Sequence, residues 1–152
     1  QSGVKVDLIV RGICGLIPGV RGLSENIKVR SILGRFLEHS RVFYFHNATP
    51  GRKLYVGSAD WMPRNFLRRV EAVFPIEDPE QIKSVLKDLE YSIMDNEGAS
   101  VLKRDGTYAK VKIHSRAKKT FSVQQILVED SERKSINLVN KNSATASRKT
   151  KD

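Results

Sequence analysis

The stretch Leu37-Glu38-His39-Ser40-Arg41-Val42-Phe43-Tyr44-Phe45, followed by Lys53-Leu54-Tyr55-Val56-Gly57-Ser58-Ala59-Asp60-Trp61, decides how this chain is read. β-branched and aromatic residues predict strands over Val42 to Phe45 and Lys53 to Val56. Asn47-Ala48-Thr49-Pro50-Gly51 between them predicts a hairpin turn. His39 and Gly57 then fall at the same end of the hairpin. Arg41, two residues after His39, projects from the same face as His39, and the Gly57 to Asp60 turn brings a hydroxyl and a carboxylate to that end.

Upstream, Val4 to Val10 reads as a buried strand that stops at Arg11-Gly12. The following Gly12 to Ser24 holds four glycines and a proline, too many for a regular element, and predicts a loop with demanding backbone geometry. Ile27 to Val29 predicts a short strand. Ser31 predicts the cap of a brief helix through Ile32, Leu33, Phe36 and Leu37.

Downstream, Arg69 to Pro75 alternates as a strand. Asp78-Pro79 opens a helix whose apolar stripe is Ile82, Val85, Leu86, Leu89 and Ile93. Asn96-Glu97-Gly98 ends it, and Asp105-Gly106 marks a turn. Tyr108 to Ile113 predicts a strand with Lys110 and Lys112 outward, Phe121 to Val128 a short helix, and Ser143 to Asp152 a disordered end. Strands alternating with helices indicate an α/β or α+β class, a mixed β-sheet flanked by helices.

A chain of 152 residues with 39% hydrophobic content predicts one compact domain plus tails. One cysteine, Cys14, excludes an internal disulfide and fits a reducing compartment, with the cytoplasm as the expected location. No apolar run is long enough to span a bilayer. The start at Gln1, without methionine and running at once into a strand, reads as a piece of a longer protein.

The net charge of +10 is uneven. Residues 1–102 carry 14 Lys and Arg against 12 Asp and Glu, whereas residues 103–152 carry 13 against 5. Such a basic excess suits a polyanion, whether nucleic acid, polyphosphate or an acidic lipid surface; a solvated lysine-rich tail is the plainer reading of the last twenty residues.

Arg11, at the end of the first strand and the start of the glycine-rich loop, can pair bidentately with phosphate oxygens; it can equally pair with Asp7 or a helix C-terminus. His39 can donate or accept a proton as a phosphoryl group moves, attack phosphorus, or be a hydrogen-bonded strand-end residue. Asp60, Arg64 and Asn65 either contact a ligand or brace the turn, and Ser58 lies among them. Arg41, Arg52 and Lys53 either line a channel for an anionic polymer or form a solvated edge. Trp61 reads as core or a packing lid, His46 as structural, and His114 as part of a basic surface.

His39-x-Arg41 followed by Gly57-Ser58-Ala59-Asp60 resembles a degenerate phospholipase D signature, in which His-x-Lys precedes an aspartate and then Gly-Ser-x-Asn. Arg41 stands for the lysine, His46 for the aspartate and Asp60 for the asparagine. The blocks Val6 to Gly19, Leu37 to Val42 and Gly57 to Asn65 are similar to the C-terminal, phospholipase D-like domain of bacterial polyphosphate kinases. The likeness covers about residues 4–130, so a domain at 1–130 is expected, with a basic, disordered tail at 131–152.

The resemblance implies a phospholipase D-like sandwich and a part of an ATP:polyphosphate phosphotransferase that works reversibly through a phosphohistidine. It carries ATP-phosphate contacts over to Arg11 and His39, with Arg41, Ser58, Asp60, Arg64 and Asn65 as site support. The nucleophilic histidine and the Mg2+ site are implied in the preceding domain, with no metal site in this chain and no activity for the fragment alone. Implied partners are the remaining domains of the parent enzyme, ATP and ADP, inorganic polyphosphate and further copies in a homo-oligomer, with no specific nucleic acid and a cytoplasmic or peripheral membrane-associated location. Two rival classes stay open: a phospholipase D-type phosphodiesterase half-site and a basic nucleic-acid-binding module.

Overall fold

The computed structural model describes residues 2–47, 51, 53–112 and 119–149. The fold is mixed α+β with two sheets, and the chain divides into two compact units, Gln1–Phe36 with Tyr91–Asp152, and Leu37–Glu90. The second segment builds a sheet of its own, with its own antiparallel partners.

In the first unit the strands are β1 (Val6–Ile9), β2 (Ile27–Ile32), β6 (Ala99–Leu102) and β7 (Tyr108–Lys110), in the spatial order β1-β2-β6-β7. β1 and β2 run parallel, pairing Val6 with Ile27 and Ile9 with Arg30; the other two pairings are antiparallel. β2 is central, which is why Val29 and Ile32 are buried. Ile32, Ala99 and Val123 form the core, with Tyr91, Val111 and Leu127 packed against it.

The brief helix expected at 32–37 is absent. Ile32 is the last residue of β2, and the chain then bends. The Gln124 side chain takes both backbone groups of Phe36, accepting its N–H at 2.9 Å and donating to its C=O at 2.8 Å. A helix has no use for such a pairing, which imitates a β-ladder. Gly34 lies directly beneath this amide: a Cβ there would come within 2.4 Å of Gln124 Oε1.

Asp95 organises the next segment. It is 2% exposed. Its Oδ1 accepts the N–H groups of Glu97, Gly98 and Ala99, while Oδ2 accepts that of Val123 at the start of α3. These bonds launch β6, a strand that the sequence reading did not anticipate. Asp105-Gly106 forms the expected turn: Gly106 has φ 82°, and the hydroxyl and N–H of Thr107 donate to Asp105, holding its carboxyl below the usual range.

In the second unit β3 (Val42–Phe45), β4 (Lys53–Gly57) and β5 (Val73–Ile76) form an antiparallel meander. The hairpin register pairs Val42 with Val56 and Phe45 with Lys53, as the alternation predicts. Most of the connecting turn, with Arg52, lies outside the described residues. The strand expected over 69–75 starts later, at Val73. Pro63 opens a short helix, α1 (Pro63–Arg68), which uses the preceding residues and leaves Val70 fully exposed.

Helix α2 (Pro79–Met94) starts and ends where its signals place it. Asp78 Oδ1 accepts the Gln81 N–H at 2.8 Å, and the Asp78 carbonyl accepts that of Ile82. The last turn belongs to the first unit, where the Arg30 guanidinium donates to the carbonyls of Ser92 (3.3 Å), Ile93 and Asp95 (3.5 Å).

Helix α3 (Val123–Lys149) is far longer than the short helix expected over 121–128 and enters the segment expected to be disordered. No glycine or proline follows Gly106, and local pairs run along its surface: Gln125 to Glu129, and Arg133 to both Glu129 and Asp130. From Ser131 to Asn140 every side chain is exposed. His114 and the end of the expected 108–113 strand lie outside the described residues.

Candidate functional site

In the second unit, the residues just before β3 and just after β4 meet as the hairpin predicts. The Gly57 N–H donates to the Arg41 carbonyl at 3.1 Å, which brings the two flanks together. The Arg41 side chain then reaches both ways. Its Nε donates to Asp60 Oδ1 at 3.0 Å, and its Nη1 to His39 Nδ1 at 2.9 Å and to the His39 carbonyl at 2.7 Å.

Arg41 is 17% exposed at its side chain against 41% for Asp60. The Nε and Nη1 donors of Arg41 are turned onto protein acceptors. Half-buried, charge-assisted and held at several points, this pair is more than a loose surface ion pair. His39 itself is exposed, so its ring has one side tied to Arg41 and the rest open to a ligand.

Asp60 braces the following turn as well. Its carbonyl accepts the N–H of Met62 at 2.7 Å and the Asn65 side-chain amide at 2.9 Å. Asn65 is 3% exposed and acts as scaffold beneath the site, with its Oδ1 buried and unmatched. Arg64 is exposed on α1.

Ser58 is not brought to His39. Its hydroxyl donates to Glu71 Oε2 and accepts the Ala72 N–H at 3.1 Å, so it ties β4 to the approach of β5. Glu71 carries no motif that could have announced this pairing across 13 residues. Trp61 is not core: it is 71% exposed and stacks on Phe43 at a centroid distance of 5.2 Å. His46 is bonded to the Tyr44 hydroxyl at 2.9 Å, in keeping with a structural role.

Arg11 belongs to the first unit. It is exposed where β1 ends, and its carbonyl accepts the Ser31 hydroxyl at 3.4 Å. The glycine-rich loop beyond it is less demanding than its composition suggests. Only Gly19 and Gly22 have positive φ there, and a Cβ on Gly12 or Gly15 would meet nothing within 4 Å. Ser24 fastens the loop by donating to the Ile17 carbonyl at 2.6 Å and accepting the Val20 N–H at 3.1 Å. A cavity of about 420 Å³, lined among others by Gly12, Cys14, Leu16, Leu102 and Tyr108, adjoins it.

Among the described residues no group of three or more His, Cys, Asp or Glu side chains is placed to hold a metal ion, and no helix is long and apolar enough to cross a membrane.

The model of the family described as polyphosphate kinase C-terminal domain 2 matches residues 1–124. The chain is 54% identical over 110 residues to a polyphosphate kinase of Synechocystis sp., covering 72% of this chain and 15% of that protein. It is 53% identical over 111 residues to one of Pseudomonas aeruginosa, covering 73% and 16%. For one of Burkholderia ambifaria the figures are 51% over 127 residues, 83% and 18%. The chain thus spans less than a fifth of the length of these relatives. A crystal structure of polyphosphate kinase from Porphyromonas gingivalis matches with a TM-score of 0.78 at 34% identity, covering 87% of this chain and 20% of that one.

Proposed function

Because the chain belongs to the polyphosphate kinase family, through C-terminal domain 2, we propose that it supplies phosphate contacts to an ATP:polyphosphate phosphotransferase whose nucleophilic histidine lies in another domain. The observation that carries this reading is that the matched residues 1–124 contain both Arg11 and His39, each exposed in its own unit.

Phosphoryl transfer through a loose transition state asks the protein for in-line positioning and for neutralised phosphate oxygens. Arg11 is the fixed cation for the β/γ oxygens of ATP, and its guanidinium can take two of them at once. His39 is the second contact. As the bond from the γ-phosphorus to ADP breaks and that to the nucleophile forms, both residues stabilise charge that gathers on the oxygens. Arg41 holds His39 in place and is itself held by Asp60, whose carbonyl Asn65 braces, and Arg64 is a further cation on α1, four residues after Asp60.

On this reading Mg2+ is held by the preceding domain. On this reading the partners are the remaining domains of the parent enzyme, ATP and ADP, inorganic polyphosphate, and sister subunits of a homo-oligomer, in the cytoplasm or at its membrane surface.

The test compares polyphosphate formation from ATP by the 152-residue chain, by the full-length parent enzyme, and by the parent carrying His39→Gln. The isolated chain makes none, and the variant is slowed on the order of 10²-fold or more. Polyphosphate synthesis by the isolated chain, or a variant as fast as wild type, would overturn the reading.

A further inference from the structure

We propose that Arg41 is a positioning residue that fixes the proton of His39 on Nε2, making His39 a phosphate donor and barring it from acting as a phosphorus nucleophile. The inference deepens the role given to His39 above and rests on that reading for its functional half only.

A guanidinium has N–H donors and no acceptor, and it stays charged in any protein environment. The Arg41 Nη1 to His39 Nδ1 distance of 2.9 Å is therefore a bond in which Nδ1 accepts. A ring that accepts at Nδ1 carries its proton on Nε2.

Arg41 has little freedom to present anything else. Its Nε is held by Asp60 Oδ1 at 3.0 Å, and Nη1 is also directed at the His39 carbonyl at 2.7 Å, so the same residue is gripped at backbone and ring. A lysine, the residue of the phospholipase D signature at this position, has one ammonium and no planar fork with which to hold Asp60 and His39 together.

The consequence is chemical. To become a phosphohistidine, an imidazole must offer a lone pair on the attacking nitrogen, so that the N–P bond forms as the P–O bond to the leaving group breaks. At Nε2 the in-plane position is taken by hydrogen. At Nδ1 the lone pair is engaged by Arg41. Nucleophilic histidines need the opposite arrangement, with an acceptor at Nδ1 that keeps Nε2 unprotonated. Here a donor occupies that place, and what remains is an Nε2–H pointing away from Arg41, suited to a phosphate oxygen.

The experiment is a long-range ¹H–¹⁵N spectrum of the imidazole rings in the ¹⁵N-histidine-labelled 152-residue chain, with His39 assigned by its loss in His39→Gln. The expected result is an Nε2-protonated pattern for His39. In Arg41→Met, which keeps an unbranched apolar stem but removes every donor, that pattern gives way to a mixture of tautomers; in Arg41→Lys the shift is partial. An Nδ1–H pattern in the wild-type chain overturns the proposal without any variant, and so does an unchanged pattern in a folded Arg41→Met.

In the full-length enzyme Arg41→Met lowers kcat about tenfold or more while the KM for ATP moves much less, since the lost element is orientation of a donor at the transition state. Equal loss in KM and none in kcat contradicts the functional half. The spectrum needs neither ATP nor turnover, so a failure of the kinase reading leaves its outcome intact, and a wrong tautomer leaves the kinase reading standing.

Discussion

The N–H of Val123 donates to Asp95 Oδ2 at 2.8 Å, so that a carboxylate at the end of one helix starts another 28 residues later. The same side chain serves three further N–H groups in the turn into β6, and it is almost wholly buried. Few side chains in a small domain satisfy four backbone donors at once. Asp95, the residue after α2, ties the turn into β6 to the start of α3.

Asp95→Ala leaves four backbone N–H groups without their acceptor at a buried site. We expect a loss of about 3–4 kcal/mol in urea unfolding. Asp95→Asn keeps one acceptor oxygen but turns an amide NH₂ toward a backbone N–H, and should cost about half as much. Equal, small effects from both would contradict the assigned role.

Two glycines separate soft from hard crowding. At Gly34 a new Cβ meets the tip of Gln124, which can swing away at the expense of its bonds to Phe36, so Gly34→Ala should cost about 1 kcal/mol. At Gly57 the Cβ meets the Ala72 carbonyl and Val73 Cγ2, each at 2.8 Å, inside the β4–β5 ladder. Gly57→Ala should cost about 2–3 kcal/mol and, through the Gly57 to Arg41 backbone bond, disturb the setting of His39. Denaturant midpoints for the two variants give the order.

Arg30 closes the C-terminus of α2 by bonding three successive or near-successive carbonyls. Arg30→Met retains the packing of the stem and removes the donors; about 1–2 kcal/mol should go with them, and amide exchange should rise at the last turn of α2 first.

The folded domain is proposed to end at Asp130, the last residue of α3 whose side chain is not exposed before the run of exposed residues 131–140. A chain cut after residue 130 should therefore unfold within about 0.5 kcal/mol of the 152-residue form in urea. A loss of several kcal/mol would place the tail in the packed structure.

What could be read from the sequence follows the range of the interactions. Helix α2 was legible because its start, its stripe and its stop all lie within twenty residues. The β3–β4 hairpin was legible for the same reason, and with it the meeting of His39, Arg41 and Asp60. Residues 32–37 misled because Ile32, Leu33, Phe36 and Leu37 have helical spacing, whereas their conformation is decided by Gln124, 88 residues on. Strand β6 depends on the Asp95 turn, and its four residues carry too little pattern to stand out. The tail was polar enough to be read as disordered, while α3 runs on to Lys149 through a sequence without glycine or proline. At the site, charge type could be read but not direction: nothing in His39-Ser40-Arg41 says that the arginine turns back onto the histidine ring.

The most direct test of the account is single-turnover transfer of the γ-phosphate of ATP in the full-length parent enzyme with Arg11→Ala, His39→Gln and the two combined. If both residues contact the transferring phosphate, each single variant slows transfer on the order of 10²-fold or more. Transfer rates within twofold of wild type in both single variants would contradict it.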